Sequence, residues 1–274
     1  MKLVMTLLLR DEEDIVRANL DFHLAQGVDR VIVTDNGSTD RTLEILRGYE
    51  SRGVVRLLLE PADDYSQGRW VTRMARLAAE EGADWVINND ADEFWWPRTG
   101  TLRSTLEAMP AETGVVVAHR TNFVPRPEDG RPFWERMTLR ERESLNPLGK
   151  PLPPKVAHRA DPSITVVQGN HRVEGAGLGE PLDDGAIEIL HFPMRTYAQF
   201  ENKIVKGGRA YARNRELPER TGRTWRRLYE VFEEGGLQAH YEEQVVVGEA
   251  PGGELVEDTR LRDGIRRLAA ERPS

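Results

Sequence analysis

Four acidic side chains lie close together in DWVINNDADEFWW, residues 84–96: Asp84, Asp90, Asp92 and Glu93. The residues around them are apolar and typical of a buried strand. Carboxylates that are close together and half out of water raise one another's pKa unless a cation lies between them. Oxygen ligands of this kind suit Mg²⁺ or Mn²⁺, usually together with substrate phosphates. The stretch therefore indicates either a divalent-metal site or a solvated acidic turn.

The pair Asp90 and Asp92 is weak evidence by itself, because short motifs of this kind arise by chance. Its position strengthens the metal interpretation. The two residues end a predicted strand, where alternation with period two would turn both carboxylates to the same side. We therefore expect Asp90 and Asp92 to bind Mn²⁺ or Mg²⁺.

Alternating strands and helices are predicted to position these acids. The strands are LVMTLLL, VDRVIVTD, VVRLLLEP and DWVIN, and the helices lie in DEEDIVRANLDFHLAQG, RTLEILRGYESRG and RWVTRMARLAAEEG. This alternation is typical of a parallel sheet covered by helices. Ligands of such sheets lie beyond the carboxyl ends of the strands, so RDEED, DNGSTD, ADDYSQGR and NDADEF are expected to line the site.

A further carboxylate, Asp35, ends the second predicted strand at the same edge. A carboxylate in that place commonly binds a ribose or a base, although Asn36 and Gly37 beside it also favour a simple turn. Asp40 is expected to cap the next helix. The first strand is followed by no glycine-rich turn, and the chain has no G-x-x-x-x-G-K-[ST] motif, which disfavours a dinucleotide-dependent dehydrogenase and a P-loop NTPase.

Composition narrows the possible partners. The chain has 274 residues and a net charge of -8, and this negative charge disfavours nucleic acid as a partner. The absence of cysteine fits a reducing, cytoplasmic compartment. Residues 195–227 are the exception, with ten Lys or Arg against three Glu. The opening MKLVMTLLLR is expected to be a strand rather than a signal peptide, and no segment is long and apolar enough to be predicted as a transmembrane helix.

The pattern becomes less regular after residue 97. TNFVPRPEDGRPFWERM and NPLGKPLPPK are expected to be irregular or hairpin structure, strands return near SITVVQGNHRV and AIEILHF, and TYAQFENKIVKGGRAYARN forms a helix before a mixed tail. Phe123, Phe133 and Trp134 lie in the first of these segments. They are expected either to shape an acceptor site on a polar loop or to cover a small hydrophobic cluster beneath it.

Two blocks carry a family resemblance. LLLRDEEDIVRANLDFHLAQGVDRVIVTDNGSTDRTLEIL and DWVINNDADEFWW resemble the glycosyltransferase family 2 group with the GT-A fold, in its branch whose strand ends in Asp-Ala-Asp-Glu-Phe. VQGNHRV and LHFPMRTYAQFENK extend the resemblance more loosely to residue 206. It implies an α/β, Rossmann-like catalytic domain over residues 1–206, with a nucleotide-sugar half (1–97) and an acceptor half (98–206), followed by a helical or mixed extension (207–274).

The resemblance also implies an activity. It indicates a metal-dependent transferase that moves a sugar from a nucleotide-diphosphate sugar, first of all a UDP-sugar, to a glycan, lipid-linked or small-molecule acceptor with inversion. The alternatives are a nucleotidyltransferase that makes sugar nucleotides and a non-catalytic nucleotide-sugar-binding protein. The residues implied for donor binding are Arg10, Glu12, Asp35, Arg69, Asp90, Arg195 and Lys203.

The remaining implied residues are metal ligands and a general base. Asp90, Asp92 and His191 are the expected ligands of Mn²⁺ or Mg²⁺, and His171 competes with His191 for that place. Inversion requires a base on the acceptor side. Four acids are candidates for this base, namely Glu174, Asp183, Asp184 and Glu188. Glu174 and His171 are favoured as the catalytic residues because they lie together in GNHRVEG.

Overall fold

Strands and helices alternate through the first third of the chain. The computed structural model describes residues 1–64, 66–145, 149–214, 218, 221–248 and 253–271. Tyr65 of ADDYSQGR, residues 146–148 of NPLGKPLPPK and parts of the tail lie outside these ranges. The first elements are β1 (Leu3–Leu9), α1 (Val16–Ala25), β2 (Arg30–Asp35), α2 (Thr42–Ser51), β3 (Val55–Leu59), α3 (Gln67–Glu80) and β4 (Trp85–Asp90). Each was predicted from the sequence.

The rest of the chain is more regular than expected. Its elements are β5 (Glu93–Pro97), α4 (Leu102–Glu107), β6 (Val115–Asn122), α5 (Phe133–Arg136), β7 (Leu139–Glu141), β8 (Lys155–Arg159), β9 (Thr165–Val166), β10 (Val173–Glu174), β11 (Ile187–His191), α6 (Tyr197–Arg213), α7 (Arg223–Glu233), α8 (Leu237–Gln244), β12 (Leu255–Glu257) and α9 (Arg260–Ala270). The strands near 165 and 187 and the long helix α6 confirm the prediction. Strands β6 and β8 were not predicted.

A single large sheet organises the molecule. Its strand order is β3-β2-β1-β4-β8-β6-β11-β5. Strands β1 to β4 are mutually parallel, β6 and β11 are parallel to each other, and β8 and β5 run antiparallel to their neighbours. Hydrophobic clusters cover both faces. This is the predicted α/β, mainly parallel architecture, and both-sided burial explains why β1 and β4 read as nearly continuous apolar runs.

The sheet register brings three strand ends to one edge. Leu9 pairs with Asp35, and Leu8 pairs with Asp90, so the carboxyl ends of β1, β2 and β4 lie side by side. The loop that follows each of them therefore opens at the same edge, as the general rule for such sheets requires.

Two of the three aromatic residues expected either at an acceptor site or in a hydrophobic cluster belong to the core. Phe123 and Phe133 are buried. Their rings lie 4.4 Å and 5.2 Å from the ring of Phe192, which immediately follows β11. For Phe123 and Phe133 the structure favours the hydrophobic cluster over the acceptor site, because both rings pack into the core. Trp134 is half-buried and packs against the same core.

The C-terminal helices pack through paired glycines. A Cβ added at Gly207 or Gly208 of α6 would lie 2.4 Å from the ring of Trp225 or Tyr229 of α7, so the two glycines permit close packing of these helices. The expected domain division at residue 206 falls inside α6, and β12 pairs with β7. Among the described residues, no helix is long and apolar enough to cross a membrane.

Candidate active site

Asp92 is a buried acid at the carboxyl edge of the sheet. Its Oδ2 contacts the Lys203 ammonium and lies 3.5 Å from His191 Nε2. Burial raises the pKa of this carboxyl, but Lys203 and His191 outweigh burial and hold the pKa well below its usual range. Asp92 is therefore ionised. The structure brings three residues predicted for the site into direct contact.

His191 is oriented by Asn122. The distance from His191 Nδ1 to Asn122 Oδ1 is 2.7 Å, and because an amide oxygen only accepts, Nδ1 carries the proton. Burial lowers the pKa of His191. His191 Nε2 faces Asp92 Oδ2, and this carboxylate opposes the effect of burial on the histidine pKa. A carboxylate oxygen and an imidazole nitrogen that converge in this way suit Mn²⁺.

Asp90 is held separately from Asp92. Its Oδ2 contacts the ammonium of Lys155, and its Oδ1 accepts from Asn170 Nδ2 at 3.1 Å and from Gln67 Nε2 at 3.4 Å. The argument that strand alternation aligns the two acids is wrong, because β4 ends at Asp90 and a turn precedes β5. We call residues 90–93 the acid turn. Within it, each Asp has its own lysine.

Glu93 closes the acid turn in the interior. It is fully buried, with Oε1 3.3 Å from Arg120 Nη1 and 3.5 Å from Lys155 Nζ. Burial raises the pKa of Glu93 to about 7, and Lys155 only partly opposes this shift. No group of three or more His, Asp or Glu side chains arranged to hold a metal ion occurs in the described ranges.

The loop after β1 is fixed by Arg195. This arginine is fully buried, contacts Glu12, and donates from Nε to Asp14 Oδ2 at 2.6 Å. Burial raises the pKa of Glu12 to about 7, against the opposing influence of the guanidinium. Arg195 thus ties the segment after β11 to the loop after β1.

Asp35 is available for a ligand's hydrogen bond. It is 3% exposed, and its Oδ1 accepts from the backbone N–H of Ser38 at 3.1 Å. Its Oδ2 is buried and has no hydrogen-bond partner among the described residues. A buried acceptor that lacks a donor is costly unless something else satisfies it, which fits the predicted contact with a ribose or base.

A further ion pair joins the loop after β1 to α6. Asp11, whose backbone φ of 54° is left-handed, contacts the Lys206 ammonium and accepts from the backbone N–H of Thr39 at 2.7 Å. Arg10 donates to Asp63 Oδ1 at 2.7 Å. Asp11 was not predicted individually, although it lies in RDEED.

The two base candidates lie in different surroundings. His171 Nδ1 lies 2.8 Å from the carbonyl oxygen of Pro154. Burial, with a further contribution from Lys155, lowers the pKa of His171 to about 4. Glu174 is exposed, pairs with Arg172 at 2.7 Å and lies opposite Thr165 in the hairpin of β9 and β10.

Contacts along helix α3 show how far Glu174 lies from the acid turn. Thr165 lies beside Arg76 of α3, whereas Gly169 contacts Gln67 at the start of the same helix. Nine helical residues correspond to roughly 13 Å. The structure therefore brings His171 to the acid turn and leaves Glu174 away from it. Arg69 is exposed on the first turn of α3.

Lys155 is the main functional candidate that the sequence analysis missed. It is 1% exposed and begins β8. It follows PLPP, which is typical of irregular structure. KVAHR shows no period-two alternation, and its first four residues are all buried, so no sequence pattern identified Lys155.

Comparison with known proteins gives one match to a family model. The model for glycosyl transferase family 2 matches residues 8–162, more than half of the chain. No curated protein matches the chain.

Solved structures also resemble this fold. S. aureus TarS 1–349 in complex with UDP is 14% identical, with a TM-score of 0.46 over 88% of this chain and 72% of that chain. Glucosyl-3-phosphoglycerate synthase from Mycobacterium tuberculosis, in complex with Mn²⁺, UDP and phosphoglyceric acid, is 18% identical, with a TM-score of 0.33 over 58% and 56%. GalNAc-T7 with UDP, GalNAc and Mn²⁺ is 10% identical, with a TM-score of 0.42 over 99% and 56%.

Proposed function

Because the chain belongs to glycosyl transferase family 2, we propose that this glycosyltransferase moves a sugar from a nucleotide-diphosphate sugar to an acceptor with inversion at the anomeric carbon. One observation carries the proposal. At the carboxyl edge of the sheet, ionised Asp92 converges with His191 and the Lys203 ammonium. Such an arrangement of ligand atoms and positive charge suits a diphosphate leaving group.

The nucleoside is proposed to lie against Asp35. Uracil presents an N–H donor and ribose presents hydroxyl donors, and either would satisfy the unpartnered Oδ2. UDP-sugars are therefore the first donors to test. Arg10 and Glu12 would line the same part of the cleft, on the loop after β1.

The residues present fit a divalent cation. Asp92 and His191 would hold Mn²⁺ or Mg²⁺, with Asp90 beside them, and donor phosphates would complete the coordination. When bound, the ion neutralises charge that develops on the departing diphosphate. Lys203 would supply positive charge to the donor phosphates if the ion took its place at Asp92 Oδ2.

His171 is proposed as the general base in preference to Glu174. The Pro154 carbonyl accepts only, so Nδ1 carries the proton and Nε2 has a free lone pair. In the reaction, the acceptor oxygen bonds to the anomeric carbon, the bond from that carbon to the diphosphate breaks, and the acceptor proton moves to Nε2. The low pKa keeps the ring neutral at neutral pH and also makes it a weaker base than an unperturbed histidine.

A nucleotide-sugar panel tests the proposal. Each donor is incubated with the protein and Mn²⁺, and release of nucleoside diphosphate is measured with and without a chelator. We expect at least one UDP-sugar to be hydrolysed slowly without acceptor and to raise the melting temperature. Release of pyrophosphate from a nucleoside triphosphate and a sugar phosphate would instead show a nucleotidyltransferase. Donor binding without turnover would show a non-catalytic binding protein.

Matched histidine variants test the base. His171→Gln should lower the rate of transfer to acceptor at least tenfold while donor affinity stays within twofold. His158→Gln is the control, because His158 is also buried and bonds a backbone carbonyl, that of Arg159, with Nδ1. Equal activity in the two variants would contradict the assignment to His171. Glu174→Gln should retain full activity, and its inactivity would restore Glu174 as the candidate.

The proposed domain division and compartment stay predictions. Residues 1–206 would form the catalytic domain and residues 207–274 an extension, although α6 continues across the division. A cytoplasmic location is the one that we propose.

A further inference from the structure

Asn19 of α1 holds the backbone of the acid turn. Asn19 donates from Nδ2 to two carbonyl oxygens, that of Ala91 at 3.0 Å and that of Glu93 at 2.8 Å. These carbonyls lie immediately before and after Asp92. The Asp92 carbonyl itself accepts from the backbone N–H of Phe192 at 2.8 Å. Three consecutive carbonyls are thus held by buried donors, which fixes the direction in which the Asp92 side chain leaves the backbone.

The network around Asn19 uses every polar group of its side chain. Asn19 Oδ1 accepts from Asn89 Nδ2 at 3.1 Å and lies 3.1 Å from His23 Nδ1. The backbone N–H of Trp95 donates to His23 Nε2 at 3.2 Å. His23 Nδ1 therefore carries the proton, and burial lowers the pKa of this histidine to about 4. Trp95 Nε1 donates to Asn89 Oδ1 at 3.0 Å and closes the network.

The network lies beneath the site, without contact with the cleft. Asn19 and His23 are both 0% exposed, and they are separated by one helical turn, so that they present one polar face of α1 to β4 and β5. A fully satisfied buried network of this kind rigidifies the structure around it. Apolar side chains here would leave the carbonyl oxygens of Ala91 and Glu93 and the N–H of Trp95 without these partners.

We propose that Asn19 is a positioning residue for Asp92, and that His23 orients it. Asn19 acts through the backbone of the acid turn and never touches the donor. The geometric part of the inference stands on the hydrogen bonds alone, whereas its effect on donor binding rests on the proposed function. A carboxylate displaced by about 1 Å no longer matches its ligand, so loss of Asn19 should weaken donor binding without changing the chemistry of the cleft.

The test compares Asn19→Asp with Leu20→Ala. Asn19→Asp keeps the size and the Oδ1 acceptor but removes the N–H donors, and Asn19→Ser is a second variant. Leu20→Ala is the control, because Leu20 is the next residue on α1, is fully buried and has no polar side-chain atom. The control should lose thermal stability without moving the acid turn. All measurements are made at a temperature at which every variant is folded.

Hydrogen–deuterium exchange is the readout that does not depend on activity. In Asn19→Asp, amides of residues 89–95 should exchange at least tenfold faster while those of β2 and β3 stay unchanged. In Leu20→Ala, the protection of residues 89–95 should stay as in the wild type. Equal exchange of residues 89–95 in the wild type and Asn19→Asp would overturn the proposal. If neither Asn19 variant folds, Asn19 serves folding itself and the separate positioning role is rejected.

Donor binding is the second readout. Titration calorimetry with UDP and Mn²⁺ should show at least tenfold weaker binding to Asn19→Asp and unchanged binding to Leu20→Ala. Faster exchange at residues 89–95 with unchanged UDP affinity would reject the functional role of Asn19. If the wild type binds no nucleotide, the proposed function fails, and the exchange experiment still decides whether Asn19 positions the turn.

Discussion

Replacing Asp92 by Asn should destabilise the protein. If the acid turn were a set of mutually repelling carboxylates, removing one charge would stabilise the fold. The structure indicates the opposite, because the Lys203 ammonium contacts Asp92 and would lose its carboxylate partner. Removal of one partner from a buried ion pair costs about 3–5 kcal/mol. Since 22% of the Lys203 side chain is exposed, we expect a loss of about 2–3 kcal/mol after partial solvation of the ammonium.

A double variant separates the charge effect from the loss of function. Lys203→Met removes the ammonium and retains apolar bulk near the ring of Trp225, which lies 5.8 Å from Nζ. Asp92→Asn/Lys203→Met should recover most of the stability that Asp92→Asn loses, because no unpaired charge remains. Both the single and the double variant should be unable to transfer sugar, since neither presents the Asp92 carboxylate.

Urea unfolding in the presence of a chelator measures these differences. Metal and nucleotide must be absent, because a ligand that binds the folded state adds its own stabilisation. A loss of about 2–3 kcal/mol corresponds to a midpoint lowered by about 1 M urea at the slopes usual for a chain of this size. Unchanged or increased stability of Asp92→Asn would refute the ion-pair reasoning. Recovery of transfer by the double variant would refute the role of Asp92 in the site.

Three further results are expected. Asp35→Ala should weaken UDP binding by about 1.5–3 kcal/mol through loss of a charge-assisted hydrogen bond, and unchanged affinity by calorimetry would contradict it. Between pH 4.5 and 7 the unfolding free energy of the wild type should fall as the pH rises, because the folded protein retains a proton on Glu93 up to about pH 7. Glu93→Gln should reduce this fall. A pH series of urea titrations measures this slope, and an unaltered slope would count against the raised pKa. Gly208→Ala should lower the melting temperature because its Cβ meets Tyr229 at 2.4 Å, whereas Gly48→Ala, with no atom within 4 Å, should be neutral or stabilising; similar shifts would contradict the packing argument.

The order of elements through β4 was predictable because each element carries its own local signal. Apolar alternation and helical periodicity depend on nearby residues only, so the strand-helix pattern and its parallel sheet follow from the sequence. The position of Asp35 and Asp90 at the carboxyl edge of the sheet was also predictable, since ligand sites of such sheets occur at the carboxyl ends of the strands. Past residue 97, β6 and β8 were missed because their neighbours in the sheet are distant in sequence.

Sequence determined which acids lie at the site, and tertiary structure decided what holds them. Asp92 was identifiable from its neighbours, yet its partner Lys203 comes from α6, more than one hundred residues later. Asn19 reads locally as one polar residue on an amphipathic helix, and only the packing of α1 beneath the acid turn gives it two carbonyl partners. Charge pairing and buried hydrogen bonds depend on distances between remote segments. Residue types and spacing constrain those distances only after the chain has folded, which is why Lys203, His191 and Arg195 were predicted as site residues but their pairing with particular acids was not.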